Sequence, residues 1–310
     1  MRLSGEIRDA MRVAKLLTLG LLLTMGGLNA IAQDVLVVFV DGAVYATAAG
    51  SRSELEIGAA VAPDATIEVD ANAFVEFRVG SRSLAFSRPG RYQLQDALRL
   101  TDNRPEAPLQ DLVGRRVRVV LGNQSGPRTE TAVAGARASD AGAGSDLEWA
   151  GGESTDELID SALAALDAGD PQTAYDIMLD ASLFAGEAEL ARVEVYFGYV
   201  ASLAGDTAEA LDYLGRHPVV QQTDYYQMHL LTLAGLYVET FAFDAAIELL
   251  EPFLARDERD AQADQLALLL LGFAYSGQGD TAAAAAAFDR AIAIDPDSEI
   301  GAAASAVTGS

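Results

Sequence analysis

The sequence lacks cysteine, has a single lysine, Lys15, and has two histidines, His217 and His229. Without cysteine the chain has no disulfide, no thiolate metal ligand, no cysteine nucleophile and no lipidated N-terminal cysteine. A single lysine close to the N-terminus excludes a phosphate-binding-loop lysine and Schiff-base chemistry. The chain also lacks His-x-x-x-His, Gly-x-Ser-x-Gly and Ser-x-x-Lys patterns. The sequence therefore predicts a protein that is not an enzyme, with no catalytic, cofactor-binding or metal-binding residues.

Basic residues are few, and the acidic excess is unevenly distributed. The whole chain carries a net charge of −25. Residues 33–150 hold 12 arginines and 16 acidic residues, whereas residues 151–310 hold 5 arginines and 28 acidic residues. Because a surface with this excess of acidic residues repels the phosphates of nucleic acid, no nucleic-acid partner is predicted.

The only long apolar run near the N-terminus is too short to cross a membrane. A positive region, Met11 to Lys15, precedes the apolar residues Leu16 to Met25, and Ala30-Ile31-Ala32 forms a small-x-small site before Gln33. This arrangement predicts a signal peptide over residues 1–32, cleaved after Ala32, and a periplasmic or otherwise exported protein. Two alternatives stay open: an uncleaved inner-membrane anchor with the chain facing the periplasm, and a translation start at Met11.

A pair of predicted helices in the C-terminal half, residues 268–296, organises the rest of the chain. Leu268, Leu271 and Tyr275 lie on one helical face, Gly277 to Asp280 break the helix, and Ala284, Phe288 and Ala291 lie on one face of the next. Small residues, Gly272 and Ala284, are predicted to meet where the two helices cross. The order Leu-Gly, Tyr, Ala, Phe, Ala and Pro296 resembles a tetratricopeptide repeat.

The same pattern recurs upstream. Aligned alanines, Ala174, Ala210, Ala246 and Ala284, are spaced by 36, 36 and 38 residues. The turns align as Ala168-Gly169-Asp170, Ala204-Gly205-Asp206, Ala242-Phe243-Asp244 and Gln278-Gly279-Asp280. Because a single hairpin cannot bury its own apolar face, the sequence predicts about four hairpins stacked as an all-α solenoid over residues 153–310.

The N-terminal part, residues 33–121, shows short strands of alternating apolar and polar residues. These predicted strands are Val35 to Val40, Leu55 to Ile57, Ile67 to Val69, Val75 to Val79, Leu84 to Phe86 and Val117 to Leu121. Asp41-Gly42 is predicted to form a hairpin turn. The pattern predicts an antiparallel sandwich or barrel-like domain.

The order of glycines and apolar residues in this part, from Gly42-x-Val44 through Leu55-x-x-Gly58 to Ala73-x-Val75-x-Phe77 and Gly80-x-x-Leu84, resembles a FecR-type domain. The resemblance implies a periplasmic β domain. The signalling role of that family does not carry over, because the cytoplasmic segment and the full transmembrane helix of such a relay are absent from the sequence. Residues 122–152, rich in Gly, Ala and Ser, are predicted to link the β domain to the solenoid.

The resemblance to tetratricopeptide repeats also implies a groove lined by the first helix of each hairpin. Carried over residue by residue, the lining consists of apolar side chains: Ile159, Leu163, Val195, Tyr199, Leu231, Val238, Leu269 and Phe273. One interpretation is a groove for an apolar segment of a protein partner, with acidic rims that favour basic flanks. The alternative is a stripe buried within the chain itself.

Arg116 and Arg118 alternate with the apolar residues Val117, Val119 and Leu121 of the last predicted strand, and Arg115 directly precedes them. The three arginines form either a solvated strand face or an anion-facing patch for an envelope glycan, a lipid head group or an acidic protein. Together these features predict an exported, non-enzymatic protein-binding scaffold of the bacterial cell envelope. The alternative is a FecR-type sensor or regulator in a transmembrane signalling relay.

Overall fold

The computed structural model describes residues 35–80, 82–102, 109, 112–115, 117–118, 154–256 and 260–309. The predicted signal peptide, residues 1–32, and the predicted linker, residues 122–152, lie outside these residues. Within the described residues a β-rich N-terminal region precedes a helical, repeat-like C-terminal region. This order confirms the predicted succession of a β part and a helical part, although the N-terminal part also contains helical residues.

The N-terminal region consists of two four-stranded antiparallel sheets that share one core. The strands are β1 (Val35–Asp41), β2 (Val44–Ala48), β3 (Ser51–Glu54), β4 (Ala60–Val61), β5 (Thr66–Val69), β6 (Phe74–Val79), β7 (Arg82–Phe86) and β8 (Gly90–Gln93). The strand orders are β4-β1-β6-β7 in one sheet and β3-β2-β5-β8 in the other. Alternate residues of both sheets, such as Val37 and Phe77 in one and Val44 and Ile67 in the other, are buried between them.

Two local predictions for this region are wrong. The turn at Asp41-Gly42 does not form a hairpin, because β1 and β2 belong to different sheets and the turn carries the chain between them. Gly42 has a φ of +72°, and a Cβ there would lie 2.9 Å from the Cβ of Ala73, so the crossing needs glycine. No strand covers Leu55 to Ile57: β3 ends at Glu54, Leu55 turns into the core, and Ile57 is 64% exposed.

The predicted strand over residues 117–121 is also wrong where the structure describes it. After β8 the chain forms α1 (Leu94–Asp102), which packs against β7 and β8, and residues 112–115, 117 and 118 are helical. The apolar residues Leu109, Leu112, Val113 and Val117 are spaced i, i+3, i+4 and i+8, so a helix buries all four on one face. Burial of this helical face therefore outweighs the short period-2 pattern that predicted a strand.

The C-terminal region consists of four helical hairpins and a final helix. Their helices are α2 (Thr155–Asp167), α3 (Pro171–Phe184), α4 (Leu190–Ala204), α5 (Thr207–Arg216), α6 (Tyr226–Glu239), α7 (Phe243–Leu254), α8 (Ala261–Gln278), α9 (Thr281–Ile294) and α10 (Glu299–Thr308). Each odd-numbered helix from α3 to α9 packs against the even-numbered helix before it, and α2, α4, α6 and α8 contact one another in turn. The first helices of the hairpins therefore form the inner row of the stack.

In the second and fourth hairpins a glycine of the first helix lies opposite a large residue of the second. A Cβ on Gly198 would lie 2.6 Å from Cγ of Leu214, and one on Gly272 would overlap the ring of Phe288. The equivalent pairs, at the same 36- and 38-residue spacings, are Ala162 with Met178 and Ala234 with Leu250, and all these side chains are buried. The predicted contact partner of Gly272 was Ala284; the nearest atoms belong instead to Phe288, one helical turn further on.

The hairpin turns repeat one design with one exception. Gly169, Gly205 and Gly279 have φ values of +78°, +89° and +82°, and the aspartate after each of them caps the next helix through its side chain. In the third hairpin the same two positions hold Phe241, with a φ of +60°, and Ala242. The predicted alignment of this turn on Ala242-Phe243-Asp244 is therefore wrong by two residues.

Candidate protein-binding site

Three of the four inner helices, α4, α6 and α8, are buried over far more than one face. Every residue of α8 from Ala263 to Ala274 is buried, as is every residue of α6 from Met228 to Leu236. A helix that is apolar around most of its circumference is typical of a core helix rather than of one that lines an open groove. The stack thus encloses α4, α6 and α8 along most of their length, whereas α2 buries one face, Ile159, Ala162 and Leu166.

The predicted groove residues follow this burial. Leu163 is half-buried against the core of the helical region. The other seven predicted groove residues are buried: Ile159, Val195, Tyr199, Leu231, Val238, Leu269 and Phe273. The Phe273 ring packs edge-on against Phe288 of its own hairpin, with ring centroids 5.4 Å apart. The structure therefore brings the stripe together inside the helical region, and its members are not exposed in this conformation.

Part of the cover is a helical segment that precedes the solenoid in sequence. We call it the arginine segment and define it by its described residues, 109, 112–115, 117 and 118. Leu109, Leu112, Val113 and Val117 are at most 5% exposed and belong to the same core as the helices of the solenoid. The chain thus lays an amphipathic helix of its own against the inner row.

The contact is close at Gly114. The hydroxyl of Tyr199, on α4, donates a hydrogen bond to the carbonyl oxygen of Gly114 at 3.2 Å. Burial raises the pKa of the Tyr199 hydroxyl, so it remains a donor at neutral pH. A Cβ on Gly114 would overlap the side chain of Leu203 on the same helix. Glycine at this position allows the two helices to approach this closely without displacing the Leu203 side chain.

Two arginines bind the margins of this site. The guanidinium of Arg118 donates to the carbonyl oxygen of Leu166 at 2.9 Å and lies 3.7 Å from the carboxylate of Asp167, at the C-terminal end of α2. Positive charge is favoured at a helix C-terminus. Arg115 forms two hydrogen bonds with the carboxylate of Glu299 in the first turn of α10. Arg116 lies outside the described residues. The two described arginines thus face acids of this chain.

A second contact joins the β region to the third hairpin. Phe241, in the left-handed turn, is 7% exposed and belongs to the core of the β sandwich. Its ring centroid lies 5.3 Å from that of Phe86 on β7. Ser87 donates a hydrogen bond to the hydroxyl of Thr240 at 2.7 Å, and the Arg88 guanidinium lies 5.1 Å from the Tyr237 ring centroid. The β region is therefore packed on the helical stack.

Sequence reasoning missed both contacts. The arginine segment carried a usable signal, since its apolar spacing fits a helix as well as a strand. Phe241 carried a weaker one: it occupies the position at which the other three turns have glycine. Neither sequence pattern predicts which surface the segment or Phe241 contacts.

Some features are absent from the described part of the chain. There, no group of three or more histidine or acidic residues is arranged to hold a metal ion. Among those same residues, no helix is both long and apolar enough to span a bilayer.

Comparison with known proteins supports the helical repeat. The tetratricopeptide-repeat profile matches residues 265–298, which correspond to α8, α9 and the turn that follows. The curated proteins gave no match to the chain. Two solved structures are similar in part. One is described as "MamA RS-1 ArsTM double mutant": it has a TM-score of 0.39 and 19% identity, and the match covers 51% of this chain and 92% of that one. The other is MamA 41-end from Desulfovibrio magneticus RS-1, with a TM-score of 0.39, 20% identity and coverage of 47% and 78%.

Proposed function

We propose that this chain is a non-enzymatic protein-interaction scaffold whose inner row of helices binds a helix of a partner protein. One observation carries the proposal: α4 and its neighbours already hold a helix, the arginine segment, against that row. A surface that buries four apolar side chains of one amphipathic helix has the shape and chemistry to receive another. The tetratricopeptide repeat at residues 265–298 adds support, since helical repeats present extended concave binding surfaces.

The proposal includes export to the cell envelope. It is motivated by the positive region before Leu16, the short apolar run to Met25 and the small-x-small site that ends at Ala32. The alternative location is the inner membrane, through an uncleaved N-terminal segment. The β region is proposed as the part that positions the solenoid, because Phe241 joins the two. An envelope glycan bound through Arg115 and Arg118 receives no support, because both side chains face acids of the chain.

Site-specific photo-crosslinking in the native host tests the proposal. A photoreactive phenylalanine analogue is placed at Leu163, which is half-buried at the edge of the inner row, in the full-length chain. The matched control is Leu183 on α3, an outer leucine that is 73% exposed. We expect Leu163 to give a discrete adduct with another protein that Leu183 does not give. The same adducts at both positions, or adducts at Leu183 only, would contradict the proposed site.

A further inference from the structure

The arginine segment and the surface beneath it are complementary in charge as well as in shape. Its apolar face is buried, and its two described arginines extend to opposite margins of the site, Arg118 to α2 and Arg115 to α10. The region beneath, residues 151–310, carries 28 acidic residues against 5 arginines. Basic side chains on a bound helix therefore gain from the local potential wherever they reach the rim.

We propose that the arginine segment is an intramolecular competitor that occupies the partner site until a partner helix of the same chemistry displaces it. That partner presents an amphipathic helix with apolar residues spaced i, i+3, i+4 and i+8 and with basic residues on its flanks. This inference rests on the proposed function, because it names the regulation and the ligand chemistry of the same site.

The segment is well placed to compete. Only six residues separate Asp102, the end of α1, from Leu109, and α1 packs on β7 and β8. The β region is in turn held on the third hairpin by Phe241. A helix tethered this closely acts at an effective concentration of roughly millimolar, so an outside ligand must bind more tightly or be present in excess.

The segment is also poised to leave. An isolated helix of this length is marginal in water, and Gly114 weakens it further, so its order depends on the surface beneath it. Its ion pairs are partly exposed: the side chains are 45% and 60% exposed for Arg115 with Glu299, and 31% and 70% exposed for Arg118 with Asp167. Pairs exposed to this degree contribute little and weaken with salt.

The test opens the site by changing the segment alone. In the full-length chain, Arg115→Glu with Arg118→Glu places two carboxylates against Glu299 and Asp167. The matched control is Arg91→Glu with Arg99→Glu, which makes the same charge change at exposed positions of β8 and α1. A second opening variant, Gly114→Leu, drives a side chain into Leu203 without adding charge. The probe is a fluorescently labelled synthetic peptide with the sequence of residues 107–120.

Hydrogen exchange followed by mass spectrometry reports whether the segment is released, and fluorescence anisotropy reports peptide binding. We expect both opening variants to lose protection over residues 109–118 and to bind the peptide at least tenfold more tightly than the wild-type and control chains. Raising the salt concentration should weaken that binding, because the arginines of the peptide contact acidic side chains.

Three results would overturn the inference. Protection from hydrogen exchange that persists in both opening variants would show that the segment is a permanent part of the core. Release of the segment without tighter peptide binding would show that the exposed surface does not bind a helix of this chemistry. Equal peptide binding to the wild-type and opened chains would show that the segment does not compete for the site. None of these outcomes depends on the crosslinking at Leu163, so the inference and the proposed function can fail separately.

Discussion

The ring centroids of Phe241 and Phe86 lie 5.3 Å apart, so a residue in a turn of the helical stack completes the core of the β sandwich. The backbone of Phe241 is left-handed, which is unfavourable for a bulky side chain, and three equivalent turns use glycine instead. The strained conformation is retained because the side chain is buried in the neighbouring domain. The contact thus fixes the position of the β region on the third hairpin.

The first prediction separates the strain of Phe241 from its packing. Phe241→Ala loses the buried ring and keeps a left-handed non-glycine residue, whereas Phe241→Gly loses the ring and relieves the strain. We expect both to destabilise the chain, Phe241→Ala by about 3–5 kcal/mol, and Phe241→Gly by about 1 kcal/mol less. Denaturant unfolding measures the difference, with Phe184→Ala, 68% exposed on α3, as the control. A glycine variant no more stable than the alanine variant would show that the turn is unstrained.

The second prediction concerns the small-to-large pairing inside the hairpins. A Cβ on Gly198 would lie 2.6 Å from Leu214, whereas a Cβ on Gly215 meets no atom within 4 Å. We expect Gly198→Ala to lower stability by about 1–3 kcal/mol through overpacking. Gly215→Ala should leave stability unchanged or raise it by up to about 1 kcal/mol, because alanine is the better helix former. Thermal and denaturant unfolding of the two variants compares them, and equal effects would argue against the helix register.

The repeat architecture could be predicted because its determinants are local. A break between two apolar helical faces, with a turn glycine and a capping aspartate, sets three of the four hairpins whatever lies around them. The alternating residues of Ile67 to Val69 and Val75 to Val79 similarly fixed the faces of β5 and β6. The FecR-type identity of the β region stays a prediction.

The site could not be predicted to the same extent, because its determinants are contacts between distant parts of the chain. Tyr199 and Gly114 are separated by 85 positions, and no local pattern relates them. Val117 satisfied both a strand and a helix pattern, and packing against the solenoid decided between them. The apolar stripe was visible in the sequence, but the contact of the arginine segment with Tyr199, a member of that stripe, was not. The repeats alone therefore do not show whether a groove is open or is filled by another part of the same chain.

The third prediction concerns processing of the N-terminus. If residues 1–32 are a signal peptide, the exported protein begins at Gln33 and its mass lacks the segment before it. Intact-mass measurement of the protein isolated from its host decides this. The matched variant is Ala30→Arg with Ala32→Arg, which places large charged side chains at the small-x-small site and should leave precursor in the membrane fraction. A wild-type chain that still carries Leu16 to Met25 would favour the inner-membrane alternative.

The fourth prediction is a loss of stability in mild acid caused by His229. Its imidazole is fully buried on α6, where Nε2 donates a hydrogen bond to the carbonyl oxygen of Leu214 at 2.8 Å. Nδ1 is buried and has no hydrogen-bond partner among the described residues, so protonation would create an unpaired buried donor. Burial, opposed by the bond to Leu214 and reinforced by the charge of His217, holds the pKa of His229 below its usual value of 6.5.

The sign of the effect follows from this shift. The unfolded chain protonates His229 at a higher pH than the folded chain does. The contribution of neutral His229 to the free energy of unfolding is therefore complete above pH 6.5 and is lost as the pH falls through the lower pKa of the folded state. The slope from this one group is at most about 1.4 kcal/mol per pH unit. Denaturant unfolding between about pH 7.5 and 5 should show the loss in the wild-type chain and in the control His217→Asn, because the charge of His217 is the smallest of the three causes of the pKa shift. His229→Gln, which has a side-chain amide but no titrating group, should show a smaller slope over the same range. An equal slope in all three proteins would assign the loss to carboxylates, whose pairing with the few arginines of the helical region would then govern its stability in acid.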